Sequence, residues 1–166
     1  MTPPADDRGA AADERDALAA SGRHAVPGER IVRFGVSATA VFGVVSVAAA
    51  VLPDPLAYVA VPLAVALFLV GSAAFLWAYA VAIGRSRYEE VTMGGVFFLG
   101  GDAAPARVAR TLRWALAAQV VVAVAVASAR PFTSLAATVL VPVLGLGLMA
   151  LWGARHGRFP ARTPSP

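Results

Sequence analysis

Cysteine, lysine and asparagine are absent from the chain, and histidine occurs twice, at His24 and His156. Without cysteine there are no disulfides, no thiolate catalysis and no Cys-type zinc or iron–sulfur sites. The most informative scarcity is of charge. Only 14% of the 166 residues are charged, 58% are hydrophobic, and the mean hydropathy is +0.70. A soluble domain holds about 25% charged and 45–50% apolar residues. Departure in both directions at once points to a bilayer as the solvent. No Asp, Glu, Lys, Arg or His falls in the middle of any long apolar run. Proton-coupled pumps and small multidrug exporters need an ionisable relay group inside the membrane. Haem-binding anchors need axial ligands such as histidine within their helices. Neither requirement is met, and no cofactor or metal is expected. There is also no P-loop, H-E-x-x-H, Ser-His-Asp set or dinucleotide fingerprint.

What is present are four apolar segments. Residues 1–30 are polar and mixed in charge, which predicts a disordered tail with a transient helix over Asp13 to Ala20; its acidic start does not read as a signal peptide. The first span covers 31–52, about 22 residues and roughly 33 Å as a helix, enough to cross a ~30 Å hydrocarbon core. It stops at Pro53-Asp54-Pro55, where Asp54 is the expected N-cap of a second span over 56–83. Pro62 lies inside that span and is expected to kink it. A loop over 84–107 follows. Its apolar patch Val96-Phe97-Phe98-Leu99, framed by Gly94-Gly95 and Gly100-Gly101, is too short to span and suggests a bend at headgroup level. Asp102 is the expected cap of a third span, 108–129. The turn Arg130-Pro131-Phe132-Thr133 leads, with Thr133 or Ser134 as cap, into a fourth span, 134–153, which carries Pro142. Residues 154–166 form a basic tail. The fold class is therefore an all-α membrane protein, with four transmembrane helices arranged as two antiparallel hairpins. The second helix of each hairpin carries Val-Pro and ends in Trp followed by Gly and Arg, which raises a diverged tandem repeat of one hairpin.

The basic residues are all arginine, and 13 of the 14 fall in the N-terminal region, the central loop with the start of span three, and the C-terminal tail; only Arg130 lies in a short turn. The positive-inside rule makes the arginine-rich side cytoplasmic, with both termini inside. Trp77, Trp114 and Trp152 fall at the inner ends of spans two, three and four, where an aromatic belt belongs. The arginines flank apolar segments rather than forming a soluble patch, which argues against nucleic acid as a partner despite the net charge of +4. The partners expected are the lipid bilayer and a homo-oligomer or membrane-protein complex. An Ala, Val, Gly, Arg and Pro bias in place of Lys, Asn and Ile fits a high-GC bacterial genome, hence a bacterial plasma membrane.

Few residues qualify for a site. Gln119 is the one strongly polar side chain within a span, and helix packing by hydrogen bonding outweighs ligand contact as its role. Glu89 and Glu90, beside Arg85 and Arg87, are paired carboxylates near the membrane. Such pairs can serve as acid and base or hold a metal. They are adjacent in sequence with no second cluster to complete a site, so a surface ion network outweighs that role, and the loop they occupy is the candidate functional loop. Arg107, Arg110, Arg113, Arg155, Arg158 and Arg162 make a basic collar that could meet anionic lipid at about 1 kcal/mol each. The segments WAYAVAIGRSRYEE, VFFLGGDAAPARVAR and GLGLMALWGARHGRFPAR resemble small four-helix membrane proteins of high-GC Gram-positive bacteria whose molecular function is unknown. That resemblance covers roughly residues 31–162. It implies the same architecture and carries no activity or site residue. The expected function is a non-enzymatic accessory or scaffold subunit. The alternatives are a small oligomeric transporter or channel, motivated by Pro62, Pro142 and Gly145, and an inner-surface lipid-acting enzyme using Glu89 and Glu90.

Overall fold

The computed structural model describes residues 27–162. The tail helix expected over Asp13 to Ala20, together with His24, lies outside them. The described chain is helical: α1 (Glu29–Val51), α2 (Pro53–Arg85), α3 (Met93–Phe98), α4 (Ala106–Ala129) and α5 (Pro142–His156), with 3₁₀ segments at Gly101–Ala103 and Ser134–Leu140. Four stretches are long and apolar enough to cross a membrane: α1, the Leu56–Arg85 part of α2, α4, and the composite Ser134–His156. This is the make-up of a multi-pass membrane protein.

The helix starts differ from those the capping residues predict. Leu52, not Asp54, is the N-cap of α2, and its first turn contains proline, whose missing N–H costs nothing where no intrahelical acceptor exists. Pro105 rather than Asp102 precedes α4, and Asp102 sits in the short 3₁₀ turn. Thr133 precedes the Ser134–Leu140 segment without capping it; its hydroxyl donates back to Arg130 O at 2.8 Å.

The fourth span lies at the centre. Half of its most apolar window is buried, against 22–28% for the other three. Leu144 and Leu148 meet Phe42 of α1, Leu67 of α2 and Ala123 of α4 in one cluster. Met149 and Trp152 join Leu99, Val108 and Leu112 in a second, while Ala150 and Ala154 join Ala78 and Val96 in a third. Helices cannot be driven together by hydrophobicity in lipid, so association depends on close backbone approach at small residues. Three glycines of α5 supply it in three directions. A Cβ on Gly147 would strike Gly71 O of α2; one on Gly145 would come within 3.2 Å of Leu116 Cα of α4; one on Gly153 would lie 2.5 Å from Val96 O of α3.

The central loop is ordered by local and distant bonds. Thr92 caps α3, its hydroxyl accepting from Gly95 N–H at 3.1 Å. The helix ends at Leu99 in the left-handed region, φ 50°, with Gly100 N–H closing onto Gly94 O at 2.9 Å. A left-handed leucine costs about 1–2 kcal/mol, and burial of its side chain to 1% exposure against Trp152 and Met149 offsets that cost. The Gly-framed patch is thus a short helix resting on the last turns of α5.

Candidate functional site

Four polar arrangements are candidate sites. The first is at the break in span four. Ser134–Leu140 winds as a 3₁₀ helix and α5 begins anew at Pro142, with Val141 N–H on Thr138 O at 3.1 Å and Leu144 N–H on Val141 O at 2.8 Å across the junction. Two side chains add bonds to the backbone there. Thr138, fully buried, donates to Leu135 O at 2.8 Å. Gln119, also fully buried, accepts at Oε1 from Gly145 N–H at 3.1 Å, so α4 caps the first turn of α5 from outside. The Gln119 amide donates to Thr39 Oγ1 at 2.7 Å, and Thr39 donates onward to Gly35 O at 2.7 Å. One amide thereby ties α1, α4 and α5.

The second lies where α2 and α5 end. Arg85 donates from Nε to Glu89 at 2.8 Å, and from its two other nitrogens to Ala154 O and Gly157 O, each at 2.9 Å. Its guanidinium also stands 5.2 Å from the centre of the Phe159 ring. The last carbonyls of α5 therefore receive a cation where the helix dipole is negative. Residues after α5 fold back along the loop after α2: Glu90 N–H donates to Pro160 O, and Arg162 N–H to Tyr88 O, each at 2.9 Å. Glu89 is committed to Arg85, and Glu90 is exposed. Among the described residues, no group of three or more His, Cys, Asp or Glu could hold a metal.

The third is the N-terminal edge of α1. Trp152 is 1% exposed, unlike Trp77 and Trp114 at 57% and 71%, so it does not face lipid. Its indole N–H donates to Pro27 O at 2.9 Å, and its ring lies 5.5 Å from that of His156. Gly28, at φ 70°, lies flat against both rings, where a Cβ would come 2.6 Å from the indole nitrogen.

The fourth is a pair of open clefts on α4. One, of about 710 Å³, has Asp102, Arg110 and Arg113 at its polar end and Leu99, Ala109 and Ala117 along its apolar wall. The other, of about 530 Å³, runs past Val36, Ala40 and Ala115. Arg110 and Trp114 line both. Arg113 is held in place by donating to Phe98 O at 2.9 Å and Leu99 O at 2.8 Å, which caps the C-terminus of α3.

The six collar arginines thus differ in use. Arg113, Arg155 and Arg162 engage their guanidinium within the protein, Arg155 over the Trp77 ring at 6.0 Å and Arg162 on Ser86 O at 3.1 Å. Arg158 is held through its backbone N–H on Ala103 O. Arg107 and Arg110 are exposed, with no side-chain hydrogen bond among the described residues, as is Arg87 in the loop. Arg130, at the opposite end, donates twice to Ala50 O at 2.9 and 3.1 Å and so caps α1. Sequence reasoning passed over Asp102 as a cleft residue and over Arg85, Arg113 and Arg130 as helix caps. The signal for the caps was an arginine beside a helix end; the partner carbonyl, up to 80 residues away, has no signature in sequence.

Comparison with known protein families, with curated proteins and with solved structures finds no match to this chain.

Proposed function

We propose that the protein is a bacterial plasma-membrane protein whose four spans form two antiparallel hairpins with both termini cytoplasmic. We further propose that it acts as a non-enzymatic accessory or scaffold subunit. The orientation rests on the arginine distribution. The hairpin arrangement is supported by contacts between helix ends, Arg130 with Ala50 at one end and Trp152 with Pro27 at the other. One observation carries the scaffold reading: the single strongly polar side chain within the spans, Gln119, is buried and bonded to α1 and α5. A transport site would leave such a group facing a cavity for its substrate. Purification in mild detergent from the native membrane should recover one partner at fixed stoichiometry across independent preparations. Recovery of the protein alone counts against the scaffold role. Fusions of a reporter active only in the cytoplasm to either terminus should both be active.

A second reading, a small oligomeric transporter or channel, is favoured by the break between Leu140 and Pro142, since discontinuous helices build many transport sites. Flux in proteoliposomes across a broad panel of solutes is its test, and the scaffold reading expects none. The lipid-acting enzyme has less support, because Glu89 is engaged by Arg85. Replacing Glu89 and Glu90 together by Gln should leave any cellular phenotype unchanged.

A further inference from the structure

Arg110 and Trp114 stand on the ridge between the two clefts of α4, so one guanidinium and one indole serve both. Each cleft runs from this ridge along an apolar wall, past Ala109 and Ala117 on one side and past Val36 and Ala40 on the other. Two clefts that share one cation, the smaller mainly apolar and the larger with Leu99, Ala109 and Ala117 beside its charged groups, suit a diacyl phospholipid with one chain on each side of the Trp114 ring. Arginine suits the phosphodiester because its fork of donors fits two phosphate oxygens. The exposed Trp114 belongs at headgroup depth in a helix that spans a membrane.

The larger cleft also contains a carboxylate. Asp102 shares its polar end with Arg110 and Arg113, yet Asp102 forms no ion pair among the described residues. Opposite charges around one opening, left apart, fit a headgroup that carries both signs. We propose that the clefts of α4 form a built-in site for one phospholipid whose phosphate is followed by a free ammonium, as in phosphatidylethanolamine. Arg110 and the pre-positioned Arg113 take the phosphate, Asp102 takes the ammonium, and the chains straddle Trp114. Phosphatidylglycerol offers the phosphate but only neutral hydroxyls, and no cation, for Asp102. The site does not depend on the scaffold role; it requires only that α4 spans the bilayer.

The full chain, reconstituted in nanodiscs of equal phosphatidylethanolamine and phosphatidylglycerol and then released, is examined by native mass spectrometry. One phosphatidylethanolamine per chain should survive, in preference to phosphatidylglycerol. Arg110→Ala should lower that retention about fivefold, the worth of one arginine–lipid contact. Asp102→Asn should erase the preference while sparing phosphatidylglycerol retention. Ala117→Phe, which fills the apolar wall without touching a charge, should also reduce retention, and it serves as the informative variant if Arg110→Ala does not fold. Arg87→Ala is the control and should retain lipid as the parent does. Equal or stronger retention of phosphatidylglycerol by the parent overturns the proposal. So does absence of retained lipid, or an unchanged preference in folded Asp102→Asn.

Discussion

The second and fourth spans are written alike and built differently. Each contains Val-Pro within an apolar run and ends in tryptophan followed by glycine and arginine. In α2 the helix runs unbroken through Pro62 from Pro53 to Arg85. In the fourth span Pro142 marks a restart, after seven residues of 3₁₀ helix. The difference follows from what surrounds each backbone. Within the spanning segments, 22% of the best window of α2 is buried, against half of that of the fourth span. A backbone facing lipid finds no partner for a freed N–H or C=O, so it must keep its own ladder. A backbone enclosed by protein can change its winding where polar partners are at hand, as Thr138 within the segment and Gln119 from α4 are here. A tandem repeat would predict like geometry at the two prolines, and the two spans do not share it.

The comparison breaks most readily at the crossing of the two spans. Gly71 and Gly147 meet backbone to backbone, and a Cβ on Gly71 would lie 2.5 Å from Leu144 N and Cα. Because backbone cannot step aside as a flexible side chain would, Gly71→Val should destabilise by about 3 kcal/mol. Thermal unfolding in detergent, monitored by size-exclusion chromatography, should show a large fall in midpoint or loss of the monodisperse peak. Gly43→Val on α1, where a Cβ would meet nothing within 4 Å, should leave the profile as it is. Equal effects at the two positions would remove the crossing as the organising contact.

Next in size is the tie that permits the break. Gln119→Leu keeps the volume but removes the bonds to Gly145 N–H and Thr39 Oγ1 that join α4 to α5 and α1. The expected loss is about 1–2 kcal/mol, within the range for helix–helix hydrogen bonds in membranes. An unfolding midpoint indistinguishable from the parent would show that α5 does not need its outside cap.

The four spans were legible in sequence because length and apolar content alone decide whether a helix crosses ~30 Å of hydrocarbon. Gln119 was legible as a side chain that needs a partner within a span, and it bonds Thr39 and Gly145. Less could be read where structure depends on distant partners. Asp54 and Asp102 have the chemistry of caps, but Pro53 and Pro105 set the local backbone first. The segment MGGVFF has little helix propensity of its own, with two glycines in six residues. It becomes helical because Thr92 caps it, Arg113 closes its far end, and Gly153 allows it to lie close to α5. Trp152 looked like its counterparts in the belt. Its burial depends on Leu99, Val108 and Leu112 and on the segment at Pro27 and Gly28, which takes its indole N–H from more than a hundred residues away.

The smallest effects belong to the prolines themselves, and they should differ in sign or size if burial is what separates the spans. Pro62 lies in the body of a continuous helix, exposed, and leaves Tyr58 O without its intrahelical donor. Pro62→Ala restores that N–H and should stabilise by about 1 kcal/mol, the net worth of one hydrogen bond. Pro142 occupies the first turn of α5, where an N–H has no intrahelical acceptor. Pro142→Ala should therefore change stability by less than about 0.5 kcal/mol, provided Gln119 still holds the restart in place. The two midpoints, measured in the same detergent, test the argument directly. A clear gain at position 142 would mean that the fourth span can run on as α-helix once the proline is gone. In that case Pro142, rather than the partners offered by Gln119 and Thr138, makes the break.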